Sequence, residues 1–408
     1  MNFDLVVIGG GAGGCFAAIR VAELFPGARI CILESARKPL SKVEVSGGGR
    51  CNVTHACFDP EDLVNYYPRG SKELLGPFYH FQPTDMIEWL KGKGVKVKRE
   101  QDGRMFPESD NSATIINCFM SAINRSGIQM RTSTRATKWA FDTDKGKWVV
   151  DLFDGTKLTC TYLLIASGSD QRTWDTLKAL GHTIIPPVPS LFTFNIKDKN
   201  LTELPGISKS NVSVSIPQFK LETSGPLLIT HWGLSGPAIL KLSAWGARSL
   251  YDCNYVFDVV VNWLALEDMQ ESTLWVREIA KANSKKQVSN IVVENLPSRL
   301  WKYLTNRAGL PETVTGAEMS NKYTDAFASV LYKDTYRVTG KSTFKEEFVT
   351  AGGVDLKQVD MRRFESKIVS GLFFAGEVLN IDALTGGFNF QAAWTGGAIA
   401  AEAIAERL

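Results

Sequence analysis

Leu5-Val6-Val7-Ile8-Gly9-Gly10-Gly11-Ala12-Gly13-Gly14-Cys15-Phe16-Ala17-Ala18-Ile19-Arg20-Val21-Ala22 is the stretch on which the fold turns. Four consecutive apolar residues before the glycines suit a parallel strand buried on both faces. After them, Cys15, Phe16, Ala18, Ile19 and Ala22 recur at helical spacing until Pro26-Gly27 stops the helix, and Arg29 to Leu33 supplies a second strand. Strand, glycine turn, helix and strand form one right-handed parallel crossover. Glu34 stands at the end of the second strand, 20 residues beyond Gly14. In such a unit Gly9 permits the tight turn, Gly11 with Ala12 and Gly13 lets backbone amides approach a pyrophosphate, and Gly14 allows close helix packing. Glu34, with Ser35 beside it, accepts from ribose hydroxyls, and its charge disfavours a 2′-phosphate. The expectation is an adenosine dinucleotide.

Outward from this unit, 83–90 and 113–124 read as helices, and 147–153 with 156–161 reads as a hairpin turning at Asp154-Gly155. Tyr162 to Ala166 resumes buried-strand character and ends at Ser167-Gly168. After Pro186-Pro187-Val188-Pro189 the texture changes to short alternating stretches, which favour a small antiparallel barrel or sandwich, and 263–324 is helical without strand signal. Leu372 to Ala375 makes a last buried strand before a glycine-rich turn and an alanine-rich terminal helix. The expected division is a discontinuous Rossmann-like domain, 1–190 with 345–408, interrupted by a barrel, 191–262 with 325–344, and a helical subdomain, 263–324.

Composition removes several classes. Among 408 residues, 46 Lys and Arg against 43 Asp and Glu leave +3, without a block of like charge, so dedicated nucleic-acid binding is not expected. No apolar run reaches membrane length and no signal peptide is recognisable, so the expected location is the cytoplasm, away from membranes. Seven cysteines without a C-x-x-C pair and four dispersed histidines give no metal site or dithiol. Gly340-Lys341-Ser342 fails as a phosphate loop because Thr335 stands where glycine is needed, and Pro237 spoils a nucleophile elbow at Gly233 to Gly236.

Only one glycine fingerprint exists, which bears on whether the dinucleotide is NAD or FAD. A flavin needs a second grip on its ribityl chain and ring, and Gly376-Glu377 with Gly386-Gly387-Phe388-Asn389 places an acid and a helix start far along the chain. A helix N-terminus aimed at the pyrimidine edge favours the electron-rich form of the ring.

These strings, together with Val45-Ser46-Gly47-Gly48-Gly49-Arg50-Cys51-Asn52-Val53-Thr54 and Thr230 to Leu240, resemble the BaiN-type flavoprotein family of NAD(P)/FAD-dependent, aminoacetone-oxidase-type enzymes over essentially the whole chain. The resemblance implies noncovalent FAD in a glutathione-reductase-type α/β domain carrying an inserted barrel and a small helical subdomain. It further implies that Ser46, Gly47, Gly48, Gly49, Arg50, Cys51 and Asn52 lie against the flavin, that Ala136 runs beside the adenine, and that Ala166, Ser167 and Gly168 pass the pyrophosphate. Members usually carry Gly-Arg-Lys before the Ser-Gly-Gly-Gly run; Pro39-Leu40-Ser41-Lys42-Val43 departs from this and leaves Lys42 as the basic residue. Cys51 reads as a packed residue more than a thiol catalyst; a substrate over the flavin could meet His231, Trp232 or Tyr336-Arg337, but His231 reads more readily as a satisfied core or junction histidine and Trp232 as packing. No catalytic residue is named.

The resulting expectation is hydride transfer between flavin N5 and a small organic substrate. A reductase fed by transiently bound NAD(P)H stands ahead of an oxygen-using amine oxidase. A flavin-dependent nucleic-acid modifier and a non-catalytic flavin redox sensor are the other classes.

Overall fold

A computed structural model of the chain describes residues 1–342 and 349–408, so the expected boundary at 344/345 lies outside the described residues. The chain divides into two compact units, Met1–Val188 with Val349–Leu408, and Pro189–Phe348.

The first unit is built on the opening crossover. β1 (Asn2–Ile8) pairs in parallel with β2 (Ile30–Leu33), with Leu5 opposite Ile30, and α1 (Ala12–Leu24) connects them. Its sheet runs from the 359–360, 365–366 and Leu372–Phe374 strands through Lys157–Ile165 to β1, β2 and Gln129–Arg131. Lys157–Ile165 lies between β1 and Leu372–Phe374, both parallel to it, with Val7 and Phe373 each opposite Leu164. Thus two segments more than two hundred residues apart in sequence meet on one strand. The residues that meet there are the continuous apolar runs read from the sequence, and Val6, Val7, Leu163, Leu164, Phe373 and Phe374 are all fully buried.

The hairpin is present, but 156–166 forms one strand, Lys157–Ile165, rather than two. Its first half pairs antiparallel with Lys147–Leu152 while its length also pairs with β1. A third antiparallel strand, Ala136–Asp142, extends the ribbon. The terminal helix spans Phe388–Ala405, beginning ten residues before the alanine-rich segment. Helix Ser71–His80 has no counterpart in the sequence reading, because Gly76 and Pro77 inside it look like breakers.

In the second unit six strands close into an antiparallel barrel: 193–196, 233–235, 221–230, 208–216, 256–262 and 334–342. Alternation places Val212, Val214, Ile216, Phe257, Val259 and Val261 in the core. Three helices, Met269–Ala282, Ser298–Arg307 and Asn321–Lys333, share this core through Val276, Leu300 and Phe327. No helix among the described residues is long and apolar enough to cross a membrane.

Candidate functional site

The glycine turn separates into packing and open positions. A Cβ on Gly9, whose φ is +110°, would lie 2.3 Å from the Ala166 carbonyl oxygen, and one on Gly14 would lie 2.1 Å from the Gly9 oxygen. One on Gly13 would come within 3.2 Å of Ala375 Cβ, where the last buried strand ends. On Gly11 it would meet nothing within 4 Å, and no side chain caps α1. The positive end of α1 therefore opens onto free space, as a pyrophosphate requires. Glu34 is fixed beside it: Gly10 N–H donates to Oε2 at 2.8 Å and Ala36 N–H to Oε1 at 2.7 Å. Thr134 N–H bonds the Glu34 carbonyl at 2.8 Å, so the segment leading to Ala136 runs alongside the acid. The Ser35 hydroxyl reaches Glu34 Oε1 at 3.4 Å. Ser167 Oγ is buried without a partner among the described residues, next to Ala166 and Gly168.

From the far segment, Glu377 accepts from Thr350 N–H at 3.0 Å and pairs with Lys42 on α2 (Ser41–Gly49). That helix breaks at Ser46, and Gly47, Gly48 and Gly49 take positive φ. Gly48 and Gly49, like Gly11, face open space, whereas a Cβ on Gly47 would strike Phe106 at 2.7 Å. Asn52, with its amide oriented to satisfy both ends, accepts from Gly387 N–H at 3.0 Å and donates to the Thr54 carbonyl at 3.0 Å. A Cβ on Gly387 would lie 2.6 Å from the Thr54 carbonyl, so the glycine pair lets the start of the terminal helix touch the 52–54 segment. Gly376, at φ +76°, sits 3.5 Å by its notional Cβ from Ala393. The structure thus brings the 9–14, 34–52, 166–168 and 376–388 segments together in one unit. These residues fit a dinucleotide bearing a second grip: an uncapped helix, an orphaned hydroxyl and three open glycines.

Several side chains are committed to the protein itself. Arg50 donates to Glu100 at 2.6 Å and lies 3.9 Å above the Phe106 ring, so its guanidinium anchors the loop. Asn389 binds the backbone of Ala383 in both directions, at 2.9 and 3.0 Å, and staples the loop before the helix. Cys51 is fully buried with φ +63°, and burial pushes its thiol up to about 12; it is a packed residue. His231 and Trp232 are exposed in the turn between 230 and 233, their ring centroids 6.3 Å apart, which corrects the reading of His231 as a core or junction histidine and of Trp232 as packing. Tyr336 is buried against Trp263 and Asp334.

Nothing in the local sequence pattern signals the aromatic group at the start of the terminal helix. Phe388 stacks on Tyr66 at 4.1 Å and on His55 at 4.5 Å, and Tyr67 donates to the Phe388 carbonyl at 2.6 Å. His55 Nε2 donates to the Asp102 carbonyl at 3.1 Å, and burial lowers its basicity. Burial raises the Tyr66 phenol, which therefore stays protonated at neutral pH. Nearby, the wholly buried Asp382 carboxylate is gripped by Arg69 through two guanidinium nitrogens. A charged pair at such a distance in sequence has no local signature.

The family model described as HI0933-like protein Rossmann domain matches residues 3–403. Among curated proteins the chain is similar to the Ribosomal RNA dihydrouridine synthase of Escherichia coli (strain K12), 26% identical over 97% of this chain and 96% of that protein. The protein of the same name from Haemophilus influenzae is 27% identical over 96% and 95%. The 3-dehydro-bile acid delta(4,6)-reductase of Clostridium scindens is 25% identical over 98% of each. Among solved structures, a 3-ketosteroid-delta4-(5alpha)-dehydrogenase from Rhodococcus jostii RHA1 superposes with a TM-score of 0.53 at 12% identity, covering 99% of this chain and 97% of that one. A flavocytochrome c3 fumarate reductase gives 0.51 at 16%, covering 99% and 78%. At these identities the structures support the fold alone.

Proposed function

The chain belongs to the HI0933-like Rossmann family and is an FAD-dependent oxidoreductase, and from that premise we propose that it is a reductase adding hydrogen across a ring carbon–carbon double bond conjugated to a carbonyl. A dihydrouridine is a uridine whose ring double bond has been saturated, and a delta(4,6)-reductase removes ring unsaturation, so the relatives' names share one transformation. Neither names an amine, which favours reduction over the amine-oxidase reading.

The observation that carries the proposal is the open, uncapped start of α1 beside Glu34, joined in the same unit by the Glu377 and Gly387 segments. In this reading the Gly11 to Gly14 amides hold the pyrophosphate, Glu34 takes ribose hydroxyls, and Ser167 gains the partner it lacks. Lys42 and Glu377 form a polar wall. The start of the Phe388–Ala405 helix would hold the pyrimidine edge of the flavin, where its positive end would favour the electron-rich state. FAD, when bound, supplies the hydride chemistry. NAD(P)H is the proposed donor, visiting without a second glycine fingerprint of its own.

Purified protein mixed anaerobically with NADPH or NADH should lose flavin absorbance, and a conjugated cyclic ketone should restore it. Bleaching by neither nucleotide, with reduction by a small amine instead, would overturn the reductase reading in favour of the oxidase.

A further inference from the structure

Tyr66 closes a single 3-10 turn, Val64–Tyr66, whose backbone is tied to the loop before the terminal helix. The Tyr66 carbonyl accepts from Leu384 N–H at 2.9 Å, and a little further along Arg69 holds Asp382. The ring therefore has a fixed place at the start of Phe388–Ala405, 4.1 Å from Phe388 with only 12° between the planes. Two neighbouring tyrosines are used differently here. Tyr67 is fully buried and spends its hydroxyl on the Phe388 carbonyl. Tyr66 is only part-buried, and its hydroxyl has no hydrogen-bond partner among the described residues. A phenylalanine would stack as well, so packing does not account for the phenol.

The other proton donors of these segments are committed. Lys42 is paired with Glu377, and Arg50 with Glu100. His55, 5.7 Å from Tyr66 between ring centroids, gives its Nε2–H to the Asp102 carbonyl and, kept neutral by burial, has no second proton on Nδ1. Cys51 is sealed in the core. Cys57 is the remaining rival, a part-buried thiol held above its usual range by burial, then by Asp62 and Asp59. Burial first, then Cys57 and Asp62, likewise keeps the proton on Tyr66 across neutral pH.

We propose that Tyr66 is the general acid of the reduction, its Oη–H supplying the proton that completes the saturated ring. Saturating a double bond conjugated to a carbonyl takes a hydride and a proton on neighbouring carbons. The hydride supplied by the bound cofactor forms a C–H bond at the carbon remote from the carbonyl, and the π pair moves toward the carbonyl oxygen as an enolate. The Tyr66 O–H bond then breaks, the proton bonds to the carbon beside the carbonyl, and the C=O bond is restored. Water returns a proton to the phenolate at its exposed edge. An enolate carbon is more basic than a phenolate, so the transfer runs downhill, and the positive helix end against the ring steadies the anion left behind. The proposal rests on the reductase reading and deepens it by naming the proton source.

The test isolates the oxidising half-reaction. Holoprotein is reduced anaerobically with dithionite, so that no nicotinamide is needed, and cyclohexenone is added. Tyr66→Phe, which keeps the stack, should slow the return of flavin absorbance by about 10²–10⁴-fold, with FAD affinity and bleaching by NAD(P)H unchanged. Cys57→Ala should match wild type. The wild-type rate should hold level up to about pH 10 and fall above it as the phenol ionises, a fall that Tyr66→Phe lacks. Independently of turnover, a phenol beside the flavin quenches its emission by donating an electron, so oxidised Tyr66→Phe holoprotein should be the brighter. Equal reoxidation rates, unchanged emission, or a loss that follows Cys57→Ala instead would each overturn Tyr66 as the acid and leave the reductase standing. Reduced wild-type flavin that cyclohexenone cannot reoxidise would sink the reductase, and Tyr66 with it.

Discussion

Replacing Gly11 by alanine should separate folding from cofactor binding, whereas the same change at Gly14 should not. A methyl at Gly11 meets no atom within 4 Å, and the residue's φ of −83° suits alanine. The apoprotein should therefore lose less than about 1 kcal/mol, the usual cost of alanine at a helix start. The same methyl stands where the pyrophosphate approaches the helix amides. Weakening one or two charge-assisted hydrogen bonds, each about 1.5–3 kcal/mol, should raise the FAD dissociation constant at least tenfold. At Gly14 the methyl would sit 2.1 Å from the Gly9 carbonyl oxygen and 3.0 Å from Val7 Cγ1. Both are held by the sheet, so overpacking of about 1–3 kcal/mol or more is expected. Urea denaturation of the two apoproteins and flavin fluorescence titration supply both quantities. A Gly11→Ala protein that binds FAD like wild type, or is as unstable as Gly14→Ala, would refute the reasoning.

Arg69→Met should lower stability by about 3–5 kcal/mol in urea melts, because it strips the wholly buried Asp382 of its guanidinium; a loss below 1 kcal/mol would show that the pair is dispensable. Cys51 should resist iodoacetamide at pH 8 while the protein is folded and react once it is denatured, since burial holds its thiol near 12. His182 is held neutral: Nδ1–H donates to the Leu177 carbonyl at 3.2 Å, and Ser366 donates to Nε2 at 2.7 Å. Its folded-state pKa lies below 6.5 through burial, so the unfolded chain binds the extra proton and stability falls as pH drops below about 6.5. His182→Asn should flatten that slope in thermal melts between pH 7.5 and 5.5.

What could be read from the sequence was what short-range pattern encodes. The 5–34 unit was legible because strand, turn, helix and acid fall within thirty residues and each has its own chemical reason. Alternation alone marked a small antiparallel barrel or sandwich in the inserted part, and only the family resemblance narrowed it to a barrel. Helix Ser71–His80 was hidden because its Gly76 and Pro77 carry a local breaking tendency that packing of Leu74 and Phe78 overrides. Arg50 and Asn389 were expected at the cofactor, yet their polar groups answer to Glu100 and to the Ala383 backbone. The stack of His55, Tyr66 and Phe388 joins residues more than three hundred positions apart, and no spacing rule reaches that far.

Because Lys157–Ile165 waits for Leu372–Phe374 as its parallel neighbour, the sheet cannot be finished on the ribosome until about two hundred further residues have emerged. At roughly 5–20 residues per second, the nascent edge stays bare for some 10–40 s, an interval in which it is open to wrong pairing. Chaperone dependence during synthesis, and yield that rises when translation is fast, are the outcomes expected of splitting one sheet around an insertion.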